Sequence, residues 1–267
     1  MPKKALGQHF LSDPRILARI AGAVPAGSGA AVLEIGPGRG ALSRALVNRG
    51  FRLTMIERDR DLAAGLAREF PDAALIEADA LEVNWIVAAG VAPGSPWFVV
   101  GNIPYNITSP LIEKALDHAT PPAAIVYLMQ KEVAVRLAAL PGTAEYGALT
   151  VGVGAAATVE RLFTVPAGAF WPVPKIDSAV VRIVPRSPPL VRDPRFRRLV
   201  VGLFGGRRKQ LVRALRTVLD LGDPDARALV ERAGLRPDQR PETVDIAGFV
   251  RLLGVVVDAG RAEALTL

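Results

Sequence analysis

The chain contains no cysteine, which excludes disulfides, cysteine-ligated zinc, iron–sulfur clusters and a thiol nucleophile. Histidine is nearly as scarce, with only His9 and His118, so no metal site is expected. Side-chain amides number eight, and three of them, Gln8, Asn102 and Asn106, lie in two short segments. Charge is missing from Val83 to Ile112, but Pro93, Pro96, Pro104 and Pro110 interrupt that run, so it is not a membrane helix. The opening residues from Met1 to Phe10 include Lys3 and Lys4 but no apolar stretch of signal-peptide length. The expected location is cytoplasmic, with no membrane partner.

What is present is a chain of 267 residues, half of them hydrophobic, long enough for one sizeable core and a smaller second unit. The net charge is +7 and the sequence pI about 10.2, which makes an anionic partner such as nucleic acid a working hypothesis. Asp13 before Pro14 reads as a helix start, with Ile16, Leu17 and Ile20 on one face. After it, β-rich runs at 31–35, 53–57, 74–77, 97–101 and 124–129 alternate with helical patterns, the signature of a parallel sheet. Two more runs, 158–165 and 179–184, can close the sheet as an antiparallel edge, making seven strands. The expected fold class is α/β, a Rossmann-like seven-stranded domain over residues 1–186 followed by a small helical domain over 187–267.

Pro188 and Pro189 mark the change of text. Residues 186–240 carry 14 basic against 6 acidic side chains and hold nearly all the excess positive charge, including Arg207, Arg208 and Lys209. In a helix through Leu211, Leu215 and Val218, the cations Lys209, Arg213 and Arg216 lie on the opposite face. That face suits either plain solvation or an RNA backbone.

Glu34-Ile35-Gly36-Pro37-Gly38-Arg39-Gly40 closes the first sheet strand and opens a helical segment, where glycines let the backbone turn tightly or approach a ligand. Its G-x-G-x-G spacing departs from the dinucleotide G-x-G-x-x-G pattern. Glu57 ends the next strand 21 residues past Gly36, Asp79 follows 22 residues later and Asn102 another 23 later. Ligands of open α/β sheets bind at such strand ends, and a carboxylate at Glu57 can accept both hydroxyls of a ribose.

Asn102-Ile103-Pro104-Tyr105-Asn106 follows a strand rich in Val and Phe. An exocyclic base amine is a poor nucleophile because its lone pair is delocalised, so a site must fix it and let it pyramidalise. The Asn102 side-chain oxygen can accept one N–H and the Ile103 carbonyl the other; Pro104 stiffens the turn and Tyr105 offers a stacking ring. Phe170, in the loop Ala169-Phe170-Trp171-Pro172, can face the base from the other side or pack on the sheet.

Taken together, Leu6 to Leu11, Glu34 to Gly38, Glu57, Asp79-Ala80, Asn102 to Asn106, Gln130 to Val133, Phe170 to Val180 and Arg207 to Lys209 resemble the ribosomal RNA adenine dimethyltransferase family. The resemblance spans nearly the whole chain. It implies S-adenosylmethionine over the strand ends, with Gly36 at its amino-acid moiety, Glu57 on the ribose and Asp79 at the adenine amine. His9 and Leu11 would close the N-terminal segment over it, and Asn102 would touch both donor and target. Relatives often carry Asn where this chain has His9 and Leu where it has Ile103; without the resemblance His9 reads as a local cap or surface residue.

The implied reaction is two successive methyl transfers to N6 of two adjacent adenosines near the 3′ end of 16S rRNA, in the small ribosomal subunit or its precursor. The enzyme would act as a monomer and without a metal, and its basic helical part, including Arg207, Arg208 and Lys209, would hold the RNA. Other targets of the same chemistry, a large-subunit rRNA adenine or DNA adenine, remain open, as does a largely non-catalytic assembly factor. A nicotinamide-dependent oxidoreductase is disfavoured by the loop spacing, and thiol-based pyrimidine methylation by the missing cysteine.

Overall fold

Asp13 opens the first helix: its Oδ1 accepts the backbone N–H groups of Arg15 at 2.8 Å and Ile16 at 3.4 Å, with Pro14 in the first turn. The computed structural model describes residues 9–104, 107–206 and 209–265. In chain order the elements begin β1 (Phe10–Leu11), α1 (Pro14–Gly22), β2 (Ala31–Ile35), α2 (Ala41–Val47), β3 (Arg52–Glu57), α3 (Arg60–Glu69) and β4 (Ala74–Glu77). They continue with α4 (Trp85–Ala88), β5 (Trp97–Asn102), α5 (Thr108–Leu116), β6 (Ala124–Gln130), α6 (Lys131–Leu137), α7 (Ala148–Ala156) and β7 (Ala157–Val165). Last come β8 (Phe170–Trp171), β9 (Ser178–Pro185), α8 (Arg195–Gly205), α9 (Leu211–Leu219), α10 (Asp223–Arg232) and α11 (Ile246–Asp258).

The seven strands expected from the sequence are present, each end within one residue, in the order β4-β3-β2-β5-β6-β9-β7. Strands β2 to β6 run parallel and β9 lies antiparallel against β6, with β7 outside it. Strand β2 is buried at all five positions, the pattern of a sheet covered on both faces. Leu17, Ile20, Leu46, Met55, Val126 and Leu128 belong to its core, each buried side chain contributing about 1.5–3 kcal/mol of transfer free energy. Strand β1 pairs with β8 as a separate two-stranded ribbon, with Phe10 opposite Trp171 and Leu11 opposite Phe170.

The chain divides into two compact units. The first runs to Ala134 and resumes from Val159 to Pro185; the second takes Val135–Thr158 together with the chain from Arg186 onward. One unit boundary falls at Pro185, and the segment Val135–Thr158, α7 included, groups with the C-terminal helices. Its Val151 and Ala155 share a core with Phe196, Leu199, Leu211, Leu215 and Phe249. A short helix apolar all round carries no stripe in its sequence to say which core it joins. In this second unit the Tyr146 hydroxyl donates to the Val244 carbonyl at 2.9 Å. Helix α9 buries Leu211 and Leu215 and exposes Arg213 and Arg216, as its pattern indicated. Among the described residues, no helix is long and apolar enough to cross a membrane.

Candidate functional site

Residues at or just past the C-terminal ends of β2, β3, β4 and β5 line a cavity of about 410 Å³ in the first unit. Parallel strands leave their loops at this edge, so each contributes one side chain to the same space. His9, Leu11, Gly36, Glu57, Asp79, Asn102, Ile103 and Pro104, singled out from the sequence, all line it.

Gly38 turns with φ +61°, and a Cβ there would lie 3.0 Å from the Phe10 ring, so the loop and β1 approach as closely as they do because the side chain is a hydrogen. The Gly38 N–H donates to Glu57 Oε2 at 3.0 Å and the Asp59 N–H to Glu57 Oε1 at 2.8 Å. The carboxylate lines the cavity, and an ionised carboxylate has acceptor capacity beyond these two bonds. Burial pushes the Glu57 carboxyl above its ordinary range, partly offset by those backbone donors. Asp79 Oδ1 accepts the Leu81 N–H at 2.9 Å, while Oδ2 lies 3.1 Å from the Arg58 guanidinium.

Asn102 ends β5. Its Nδ2 donates to the His9 carbonyl at 2.9 Å, and among the described residues nothing donates to its Oδ1. The ring of His9 is tied as well, Nδ1 donating to the Pro172 carbonyl at 2.8 Å. One residue, His9, thus joins the N-terminal segment to both Asn102 and the loop after β8. The Ile103 N–H continues the sheet ladder to the Leu128 carbonyl at 2.9 Å, and the Pro104 carbonyl accepts the Thr108 hydroxyl at 3.3 Å. Gly101 makes this packing possible: a Cβ there would meet the Ile35 carbonyl oxygen at 2.7 Å and Ile103 Cδ1 at 2.6 Å.

Glu34, which also lines the cavity, is 1% exposed. Its burial raises the carboxyl to about 8, against a stabilising 2.6 Å hydrogen bond from the Ser43 hydroxyl, with nearby Glu57 raising it further. Because the folded value exceeds the unfolded one of 4.5, the unfolded chain ionises first as pH rises. Stability then falls between roughly pH 4.5 and pH 8, by up to about 1.4 kcal/mol per unit. Glu34→Gln removes that titration, so thermal melts should show its Tm advantage over the native chain growing from pH 5 to pH 8.5; a constant difference would mean that Glu34 does not titrate in this window.

Phe170 does not reach the cavity. At 3% exposure its ring lies in the core with Leu11, and its neighbour Trp171 lines the cavity instead. Alternation along β8 sends adjacent side chains to opposite faces, which decides between the two readings of Phe170 in favour of packing. Tyr105, Arg207 and Arg208 lie outside the described residues; Lys209 is exposed in the second unit. The sequence reading assigned no role to Arg39, Arg58 or Trp171, all of which line the cavity. The visible signal for Arg39 was its place inside the glycine loop; nothing marked Trp171 out beside the neighbouring aromatic.

Residues 2–252 match the family model described as ribosomal RNA adenine dimethylase. Over 259 residues, 95% of either chain, the protein is 46% identical to ribosomal RNA small subunit methyltransferase A of Xanthomonas campestris pv. campestris strain B100. It is 45% identical, over the same shares, to the protein of that name from Xanthomonas oryzae pv. oryzae strain PXO99A. Among solved structures, a dimethyladenosine transferase from Plasmodium falciparum superposes with a TM-score of 0.79 at 26% identity, covering 94% of this chain and 98% of its own. The 23S rRNA methyltransferase ErmE gives a TM-score of 0.68 at 28% identity, covering 93% and 99%.

Proposed function

The chain belongs to the ribosomal RNA adenine dimethylase family, and from that premise we propose that it transfers methyl groups from S-adenosylmethionine to N6 of two adjacent adenosines near the 3′ end of 16S rRNA. The product is N6,N6-dimethyladenosine, made during small-subunit biogenesis in the cytoplasm by a single subunit. The observation that carries this reading is Asn102, an amide with one N–H committed to the His9 carbonyl and an acceptor oxygen that nothing among the described residues engages, at the end of β5 on the cavity edge it shares with Glu57 and Asp79.

The cavity fits the donor on its chemistry: Glu57 offers two acceptor oxygens at the spacing of a ribose diol, Asp79 an acceptor for an amine, and Gly36 and Leu11 close walls. S-adenosylmethionine supplies a methyl group already activated on a sulfonium sulfur. The protein's contribution is positioning. Asn102 Oδ1 accepts one N–H of the target amine and the Ile103 carbonyl the other, holding the nitrogen lone pair toward the donor and favouring its pyramidal form. As nitrogen gains the methyl it becomes acidic, and its proton passes to these neutral acceptors or to water, so no strong base is required. Tyr105 is assigned a stacking face for the adenine; Arg207, Arg208 and Lys209, with exposed Arg213 and Arg216, are assigned the rRNA phosphates.

The test is mass spectrometry of nucleosides from unmodified small subunits incubated with the protein and S-adenosylmethionine, with large subunits and DNA as parallel substrates. Dimethyladenosine in the small-subunit reaction is the expected result. Methylation confined to the large subunit would move the target toward that of ErmE, and binding without methylation would favour an assembly factor.

A further inference from the structure

Two of the three tryptophans, Trp85 and Trp97, are buried to 0% and 1% exposure, whereas Trp171 is 54% exposed. It is not alone, since Val173 and Ile176 in the same stretch of chain are 62% and 41% exposed, and exposed apolar side chains that cluster mark interaction sites. The ring is not on a loose loop. Strand β8 is paired in register with β1, the Ser12 N–H donates to the Ala169 carbonyl at 3.3 Å, and His9 grips the Pro172 carbonyl. Arg39 reaches over it from the glycine loop, its guanidinium carbon 5.3 Å from the Trp171 ring centroid and 4.7 Å from that of Phe10.

Arg39 also differs from the arginines around it. Arg44 is paired with Glu69 and Arg58 with Asp79, but among the described residues Arg39 has no carboxylate partner. The exposed rim continues past Trp171 through Val173 and Lys175. An open indole flanked by uncompensated cations is the composition of surfaces that hold single-stranded nucleic acid, with the base on the ring and the phosphate on the cation.

We propose that Trp171 and Arg39 form a nucleotide-docking platform at the mouth of the cavity, where the indole stacks a base flanking the target adenosine and the guanidinium takes an adjacent phosphate. This rests on the RNA-methylating reading above and adds to it a means of placing one adenosine while its neighbour occupies the site. Phe170, in the core, anchors the platform from beneath.

The experiment uses the full chain and its Trp171→Ala, Trp171→Phe and Arg39→Ala variants, with steady-state kinetics on small subunits, calorimetry with S-adenosylmethionine, and tryptophan emission during titration with a short single-stranded RNA containing two adjacent adenosines. Trp171→Ala should raise the KM for RNA by about tenfold to a hundredfold, the size of one base stack, while the Kd of S-adenosylmethionine changes by less than about threefold. Trp171→Phe, which keeps a ring, should recover most of the loss. Arg39→Ala should raise the RNA KM and lower its salt dependence by roughly one phosphate contact. Native emission should be quenched by the RNA, and the quench should vanish in Trp171→Phe. The proposal is overturned if Trp171→Ala weakens S-adenosylmethionine and leaves the RNA KM unchanged, since the ring would then serve only to fasten β1 over the donor. Absence of dimethyladenosine with the native protein would overturn the reaction reading instead, and RNA quenching of Trp171 emission would still decide the platform.

Discussion

Asn102→Ala is expected to lower kcat by about 10³-fold, or about 4 kcal/mol, the scale at which removing one preorganised hydrogen-bonding group slows a reaction. The alanine keeps β5 intact, because the ladder bonds of this strand come from the backbone and the side chain points to the cavity. Two things disappear with the amide: the acceptor proposed for the target N–H and the bond to the His9 carbonyl at 2.9 Å. The first acts on the transition state, so it appears in kcat; the second loosens the N-terminal segment, so it appears as a rise of less than about tenfold in the Kd of the donor, one hydrogen bond's worth. Binding of rRNA should stay within about threefold, because phosphate contacts made elsewhere dominate it. Asn102→Asp separates the two effects: it retains an acceptor but cannot donate to the His9 carbonyl. Single-turnover rates with each variant check this. A kcat within a few-fold of native for the alanine variant would remove Asn102 from the reacting centre.

Glu57→Ala is expected to raise the Kd of S-adenosylmethionine by about a hundredfold, from losing two hydrogen bonds to a charged acceptor at about 1.5 kcal/mol each. The carboxylate also holds the Gly38 and Asp59 N–H groups, so its removal leaves donors unpaired at the turn that shapes the cavity. The same variant should therefore melt lower by a few degrees, as loss of about 1–2 kcal/mol does in a chain of this size. Glu57→Gln keeps the volume but turns an amide N–H₂ toward one of those backbone donors, and it should fall between alanine and native. Calorimetry reads the affinity directly. A Kd within about threefold for the alanine variant would show that the ribose is held by other groups.

The strand ends and the acids on them were legible in the sequence because a parallel sheet imposes its own spacing. Each βα unit takes a similar length of chain, so Gly36, Glu57, Asp79 and Asn102 recur at nearly even intervals and must emerge on one edge. The Asp13 cap and the amphipathic pattern of α9 were legible for the same kind of reason, since both depend on neighbours within a few residues. Gly101 was not singled out. Its importance lies in the Ile35 carbonyl on the adjacent strand, distant in sequence and in contact only once the sheet forms. The bond from Asn102 to His9 crosses 93 residues, and it commits one amide N–H while leaving the oxygen without a donor among the described residues.

By itself the sequence determined the class of fold, the sheet edge on which the cavity lies and the chemical identity of the groups there, because local periodicity and strand-to-strand spacing are properties of the chain alone. Tertiary structure decided which of two adjacent aromatics lines the cavity, which of the arginines lining it pair with a carboxylate among the described residues, which core α7 joins, and which groups of the Asn102 amide already have a protein partner. Those outcomes depend on burial and on partners supplied by segments far apart in the chain. Phe170 and Trp171 are equally aromatic as text; only the pairing of β8 with β1 sends one inward and the other to the rim.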